Sequence, residues 1–291
     1  MREKIILGTV QLGLNYGINN TKGKPSAQEA FDILKIAYDH GIKTLDTAEA
    51  YGNSTQIIGD FHKKFPEKKF NVITKLDAQV LLSKGDLFKK VKESCKTLNV
   101  DKIHGYMFHN FESFKKNSIF FEELLEAKEQ GFINKIGVSL FSNFELNTIL
   151  EEYSGIDFIQ LPFNLFDNEL KRKIHLEKAK NKNIEIHTRS VFLQGLFFKD
   201  FKELSKTLSP FKEPLELIHQ ISKESNIDLG YLALNYALEK EYIDHVLIGV
   251  DSKEQLNLNL KNLIGEKQIP HERVNEILIK NEELLNPTNW K

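Results

Sequence analysis

Short apolar runs rich in β-branched residues alternate with amphipathic stretches along the whole chain. The runs are IILGTVQLG (5–13), KTLDTA (43–48), FNVITK (70–75), IHGYMFH (103–109), KIGVSL (135–140), DFIQLP (157–162), IEIHTRS (184–190) and DHVLIGV (244–250). Each is long enough for a buried strand and too short for a buried helix. Between them the spacing turns helical, as in SAQEAFDILKIAYDHG, GDLFKKVKESCKTLN and FFEELLEAKEQG. Ser26, Asp86, Asn143 and Asn168 are N-cap types at the expected helix starts, and Gly41 and Gly131 stand at expected stops.

Strand-helix alternation predicts parallel strands joined by right-handed crossovers. Eight units on one continuous chain predict closure into an α/β barrel, a (β/α)8 TIM barrel forming a single domain over residues 1–291. An open doubly wound sheet is the competing architecture, but no G-x-G-x-x-G follows the first run. Two stretches break the rhythm, HNFESFKKNS after the fourth run and LQGLFFKDFKELSKTLSPFKEP after the seventh. Irregular stretches of such length in a compact domain are commonly functional.

Composition narrows the class. The 291 residues are 41% hydrophobic and 28% charged, with a formal net charge of −1. That balance gives no field favouring nucleic acid or an anionic membrane. Cys95 is the only cysteine and shares a helical face with Phe88, Val91 and Leu98, so it reads as a small core residue. The N-terminal apolar run is too short for a signal peptide and no segment is long enough to span a membrane, so a cytoplasmic location is expected.

A barrel carries its chemistry at the C-terminal ends of its strands. The second run ends at Asp46, with Tyr51 on the loop beyond; the third ends at Lys75 and the fourth at His109. Each alone has a structural explanation: a cap, a surface ring, a solvated amine, a hydrogen-bonded imidazole. Together they bring an acid, a phenol, an amine and an imidazole to one rim. A phenol is a poor acid at neutral pH, with an ordinary pKa of about 10. An ammonium beside it stabilises the phenolate. Asp46 would hold Lys75 charged and oriented, and His109 could fix the same substrate oxygen. The product of this arrangement is a general acid aimed at a carbonyl oxygen. No side chain supplies hydride, so a nicotinamide cofactor is implied.

These residues resemble the aldo-keto reductases over essentially the whole chain. LDTAEAYG (45–52) is similar to the family's D-T-A-x-x-Y-G motif, ITK (73–75) and His109-Asn110 to its third and fourth strand ends, and LGTVQLG (7–13) to its opening strand. The resemblance implies that Asp46, Tyr51, Lys75 and His109 form the catalytic tetrad, with Tyr51 the proton donor to an aldehyde or ketone. KIGVSLFS (135–142) and FIQLPFN (158–164) resemble the segments that hold the nicotinamide carboxamide, which implies that role for Ser139 and Gln160. LIGVDSKEQLNLNL (247–260) resembles the adenosine-side segment, with Gly249, Gln255 and Asn259 at cofactor positions. Gly8, Thr9, Val10, Arg189 and Ser190 complete the implied cofactor set.

Three positions depart from the family pattern. Leu140 replaces an expected Asn, so one carboxamide contact is missing or falls to another group such as Asn164. Arg189 replaces the aromatic residue that stacks under the nicotinamide in many members. A guanidinium can also stack on a ring; it could instead bind an anionic substrate or form a salt bridge across the rim. Gly249 and Gln255 replace the cations expected around a 2′-phosphate, leaving Lys253 beside Asp251. NADPH is the implied cofactor, with NADH the alternative.

Two other classes compete. A metal-dependent hydrolase would need ligand clusters, but His104 and His109 are five apart and face opposite sides of a strand. No metal site is expected. A cofactor-binding regulatory or non-catalytic subunit could keep the same barrel, although a pure binder has no use for an ammonium-phenol pair. Residues 110–118, 194–214 and the C-terminal tail are expected to shape the pocket, with Phe111, Phe114, Phe197, Phe198, Phe201 and Trp290 as candidate walls.

Overall fold

In the computed structural model, which describes residues 2–290 apart from Thr21 and Ile264, eight parallel strands close into one barrel in sequence order. They are β1 (Ile5–Gly8), β2 (Thr44–Asp46), β3 (Asn71–Leu76), β4 (Ile103–Phe108), β5 (Ile133–Ser139), β6 (Phe158–Pro162), β7 (Glu185–Arg189) and β8 (His245–Gly249). Pairing of β1 with β8, Leu7 opposite Ile248, completes the ring. No helix among the described residues is long and apolar enough to cross a membrane.

The strands are buried on both faces, as parallel strands covered by helices must be. Inside the barrel Ile6, Ile73, Met107 and Phe158 form a separate apolar plug. Phe158 is admitted because Gly105 and Gly137 carry no side chain where its ring lies. The larger core lies between the strands and the outer helices. This plug is the floor beneath the strand ends.

Several expected boundaries shift. The first strand stops at Gly8, and Val10–Gly13 forms one helical turn in place of extended chain. By Gly8 the barrel rim has been reached, and Thr9 bonds across to the carbonyl of Asp46 through both its N–H and its hydroxyl, each at 2.9 Å. Residues 47–49 leave β2 but still bond to β3, Thr47 N–H to Ile73 at 2.8 Å and Glu49 N–H to Lys75 at 3.1 Å. The stretch after β4 is not irregular: Phe111–Asn117 is helical, capped by the Asn110 side chain, which accepts from Ser113 N–H at 2.7 Å.

Ser26 forms a full capping box with Glu29. The caps expected at Asp86 and Asn143 fall one residue earlier, on Gly85 and Ser142. Asn168 is an N-cap residue whose side chain does not cap; its amide instead donates to Val274 and Ile277, at 3.1 Å each. Gly41 and Gly131 end their helices at φ of 90° and 81°, which glycine adopts without strain.

Candidate active site

Asp46 ends β2 fully buried and forms an ion pair with Lys75 on β3; both side chains are 2% exposed. Lys75 also donates to the carbonyl of Thr47 at 3.2 Å. The second Asp46 oxygen accepts from Gln160 Nε2 at 2.8 Å. That contact, between residues 114 apart, has no sequence signal. Burial alone would lower the Lys75 pKa, but the Asp46 carboxylate and the Tyr51 hydroxyl more than offset it, and the net shift is upward.

The Lys75 ammonium lies 5.1 Å from the centre of the Tyr51 ring. Tyr51 meets His109 edge-to-face, with ring centres 5.8 Å apart. Burial, aided by the Lys75 charge, depresses His109 to a pKa of about 4, so its imidazole is neutral at physiological pH. Its Nδ1 is buried with no hydrogen-bond partner among the described residues. Glu49 pins the loop that carries Tyr51. It accepts from the Tyr106 hydroxyl at 2.8 Å, from Lys90 at 3.0 Å and from Asp77 N–H at 3.3 Å.

All four of these groups open onto one cavity of about 950 Å³ at the C-terminal ends of the strands. Gly8, Thr9, Val10, Ser139, Gln160, Arg189, Ser190, Gly249, Gln255 and Asn259 line the same cavity, so the residues singled out in the sequence converge in space. Of the expected walls, Phe111 and Phe198 line it. Phe114 and Phe197 are core residues, 1% and 0% exposed. Phe201 packs on His219, and Trp290 packs on Phe211 while donating to Leu284 at 2.7 Å. Neither reaches the cavity.

Gln194 and the tail segment Asn286–Thr288, in two of the stretches expected to shape the pocket, line the cavity as well. Tyr16, Gln11, Phe141 and Phe192 also line it, with no periodicity to announce them. Two loops meet over its mouth, with Gln194 Nε2 donating to the Tyr16 hydroxyl at 2.9 Å and Asn19 Nδ2 to the Gly195 carbonyl at 2.6 Å. Ser190, Leu193 and Gln194 hold φ of 62°, 45° and 55° there, a left-handed conformation costly for non-glycine residues.

The departures from the family pattern take definite forms. Asn164 is buried away from the cavity, and its Oδ1 accepts from the N–H groups of Phe166 and Asp167 at 2.9 and 3.0 Å. It does not fill the gap left by Leu140. Arg189 makes no salt bridge among the described residues. Its guanidinium lies 5.4 Å from the Phe141 ring centre, donates to the Leu140 carbonyl at 3.2 Å and reaches the Ser190 hydroxyl at 3.4 Å. At the opposite end of the barrel Glu185, His187 and His245 come together. There Glu185 accepts from the two imidazoles at 2.7 and 3.2 Å and pairs with Lys135, a polar cluster remote from the cavity.

A chain with this barrel and rim is similar to known proteins along nearly its whole length. The model of the aldo/keto reductase family matches residues 4–282. D-arabinose 1-dehydrogenase of Saccharomyces cerevisiae is 27% identical, over 89% of this chain and 82% of its own. Methylglyoxal reductase DkgB of Escherichia coli O157:H7 is 24% identical, over 78% and 79%. Among solved structures, an aldo-keto reductase of Bacillus halodurans in its holo form has a TM-score of 0.73 at 20% identity, covering 97% of this chain and 91% of that one. The chain belongs to the aldo/keto reductase family, oxidoreductases acting on carbonyl groups.

Proposed function

We propose that this protein reduces an aldehyde or ketone to the alcohol, with hydride from a nicotinamide cofactor and a proton from Tyr51. The observation that carries the reading is the buried Asp46–Lys75 pair set beside the Tyr51 ring at the cavity floor. A purely structural ion pair has no need of a phenol against it.

The cavity fits a dinucleotide. Its volume of about 950 Å³ lies at the large end of ligand sites. The buried Gln11 Oε1 on its wall has no hydrogen-bond partner among the described residues. Ser139 and Gln160 would face the nicotinamide; Gly249, Gln255 and Asn259 would face the adenosine half. Arg189, at the end of β7, lines the same cavity. The bound nicotinamide supplies hydride to the carbonyl carbon.

The chain's own groups handle the proton. Tyr51 gives its hydroxyl proton to the carbonyl oxygen as charge develops there. Lys75 stabilises the resulting phenolate, and Asp46, itself held by Gln160, keeps Lys75 charged and in place. Neutral His109 can donate one N–H to the same oxygen and fix its position without adding charge. The names of the relatives, a sugar dehydrogenase and a methylglyoxal reductase, support a small carbonyl substrate. NADPH is the expected cofactor, with NADH the alternative.

Oxidation of NADPH and NADH with a panel of small aldehydes tests this. Wild type should turn over, and Tyr51→Phe should lose on the order of a hundredfold or more in kcat while keeping cofactor affinity within a few-fold. Cofactor binding by wild type without turnover on any aldehyde would favour the non-catalytic, regulatory reading instead.

A further inference from the structure

We infer that Arg189 holds an anionic group, a carboxylate or phosphate, carried by the carbonyl substrate. The inference rests on the reductase reading above and concerns which carbonyls the site selects. A guanidinium offers five N–H donors in a fixed plane. Arg189 uses one on the Leu140 carbonyl at 3.2 Å and another, at 3.4 Å, on the Ser190 hydroxyl. The Phe141 ring centre lies 5.4 Å from the guanidinium carbon. The remaining donors have no partner among the described residues.

Among the described residues, none of the acidic groups that line the same cavity pairs with Arg189. Asp46 is taken by Lys75 and Gln160. Glu145 accepts from the N–H groups of Phe141 and Ser142. Glu112 pairs with Lys115, and Asp251 lies at the rim beside Gln255. Lys75, the other cation of the cavity wall, already has its carboxylate. Arg189 is therefore the one cavity-lining lysine or arginine, among the described residues, without an acidic partner. Arg189 is partly buried, and holding a charge there without a counter-ion carries a cost that a ligand anion offsets.

Position says whose anion it is. Arg189 ends β7 at the rim and lines the same cavity as Tyr51 and Tyr16. An anion held there stands beside the reacting carbonyl, as in a keto acid, an acid semialdehyde or a short phosphorylated aldehyde. The free guanidinium edge matches a carboxylate or phosphate bidentately, which an ammonium cannot do. The cofactor's own phosphates are the other source of such an anion.

Matched substrates separate the two sources: succinic semialdehyde against butanal, and 4-carboxybenzaldehyde against 4-methylbenzaldehyde, each with wild type, Arg189→Gln and Arg189→Lys. Wild type should favour the charged member of each pair. The ratio of kcat/KM, charged over neutral, should fall on the order of 30-fold in Arg189→Gln and be only partly kept by Arg189→Lys. Cofactor Kd, by nucleotide fluorescence, should move far less than that ratio. Succinate should raise the melting temperature of the cofactor-loaded wild type more than succinamide does, and this difference should vanish in Arg189→Gln. An unmoved ratio, no succinate effect on wild type, or a loss that appears wholly in cofactor Kd would overturn the assignment. If wild type reduces no carbonyl, the reductase reading fails, and the succinate comparison still decides the role of Arg189.

Discussion

The carbonyl oxygen of Tyr51 packs so closely on the Cα of Gly13 that any Cβ at residue 13 would collide with it. The contact is reciprocal, since a Cβ on Gly52 would lie 2.5 Å from the Gly13 carbonyl oxygen. A line of hydroxyls reinforces it, Thr47 to Ser54 at 3.1 Å and Ser54 to Thr9 at 2.7 Å. The short helix after β1 thus sets the height of the loop that carries the phenol. Gly13→Ala should push that loop outward and lower kcat by on the order of a hundredfold, the cost of about 1 Å of misplacement. Overpacking should also cost about 1–3 kcal/mol of stability. Steady-state kinetics with a urea melt would check both, and full kcat in Gly13→Ala would show that another contact places Tyr51.

Asp46 and Lys75 make a second, separable prediction. Removing one member of a buried pair strands the other, at a cost of about 3–5 kcal/mol. Lys75→Met should therefore be much less stable than Asp46→Asn combined with Lys75→Met, in which no charge is left buried. All variants lacking Lys75 should lose turnover together. Equal urea midpoints for the single and double variants would mean that the Gln160 amide already satisfies the lone carboxylate.

Burial of histidine gives the pH dependence a definite sign. His109 and His104 are both depressed to about 4, below the ordinary value of 6.5, mainly by burial. The unfolded chain therefore takes up their protons first as pH falls. Stability present above pH 6.5 should be lost progressively toward pH 4. Urea midpoints at pH 7, 6 and 5 should decline, and His104→Gln should flatten the decline. The kcat/KM profile should show no His109 inflection near 6.5 and should respond to it only near 4. A midpoint constant from pH 7 to 5 would mean that these imidazoles titrate normally.

The sequence carries most of the barrel and the four groups at its rim because both rest on short-range regularities. Strand ends follow from period and punctuation, and a barrel places every strand end on one face. Contacts made by loops have no such period. Phe111 and Phe114 lie on one short helix, yet only Phe111 reaches the cavity, while Phe114 packs edge-on against Phe108 and Tyr153. Gln160 shows the other limit. Its strand position is readable, but its bond to Asp46 depends on closure of the ring.

Choice of nucleotide is the remaining question that local chemistry can address. The cavity arm toward β8 is walled by Gly249, Asp251, Gln255, Leu258 and Asn259, with no lysine or arginine among them. A Cβ at residue 249 would lie 2.6 Å from Gln11 Nε2, so a larger residue there would displace the end of the Gln11 side chain. Gln255 turns its Oε1 back to accept from Asp251 N–H at 3.1 Å. Lys253 begins the helix Lys253–Asn262, outside the cavity wall. An exposed cation of this kind contributes at most about 1 kcal/mol to holding a phosphate, about fivefold in Kd. NADPH should therefore bind only modestly more tightly than NADH, and the difference should shrink as salt rises. Lys253→Met should remove most of it by weakening NADPH and leaving NADH nearly unchanged. Fluorescence titration of both nucleotides at low and high salt decides the point: a preference for NADPH of a hundredfold or more that survives both salt and Lys253→Met would mean that another group holds the 2′-phosphate.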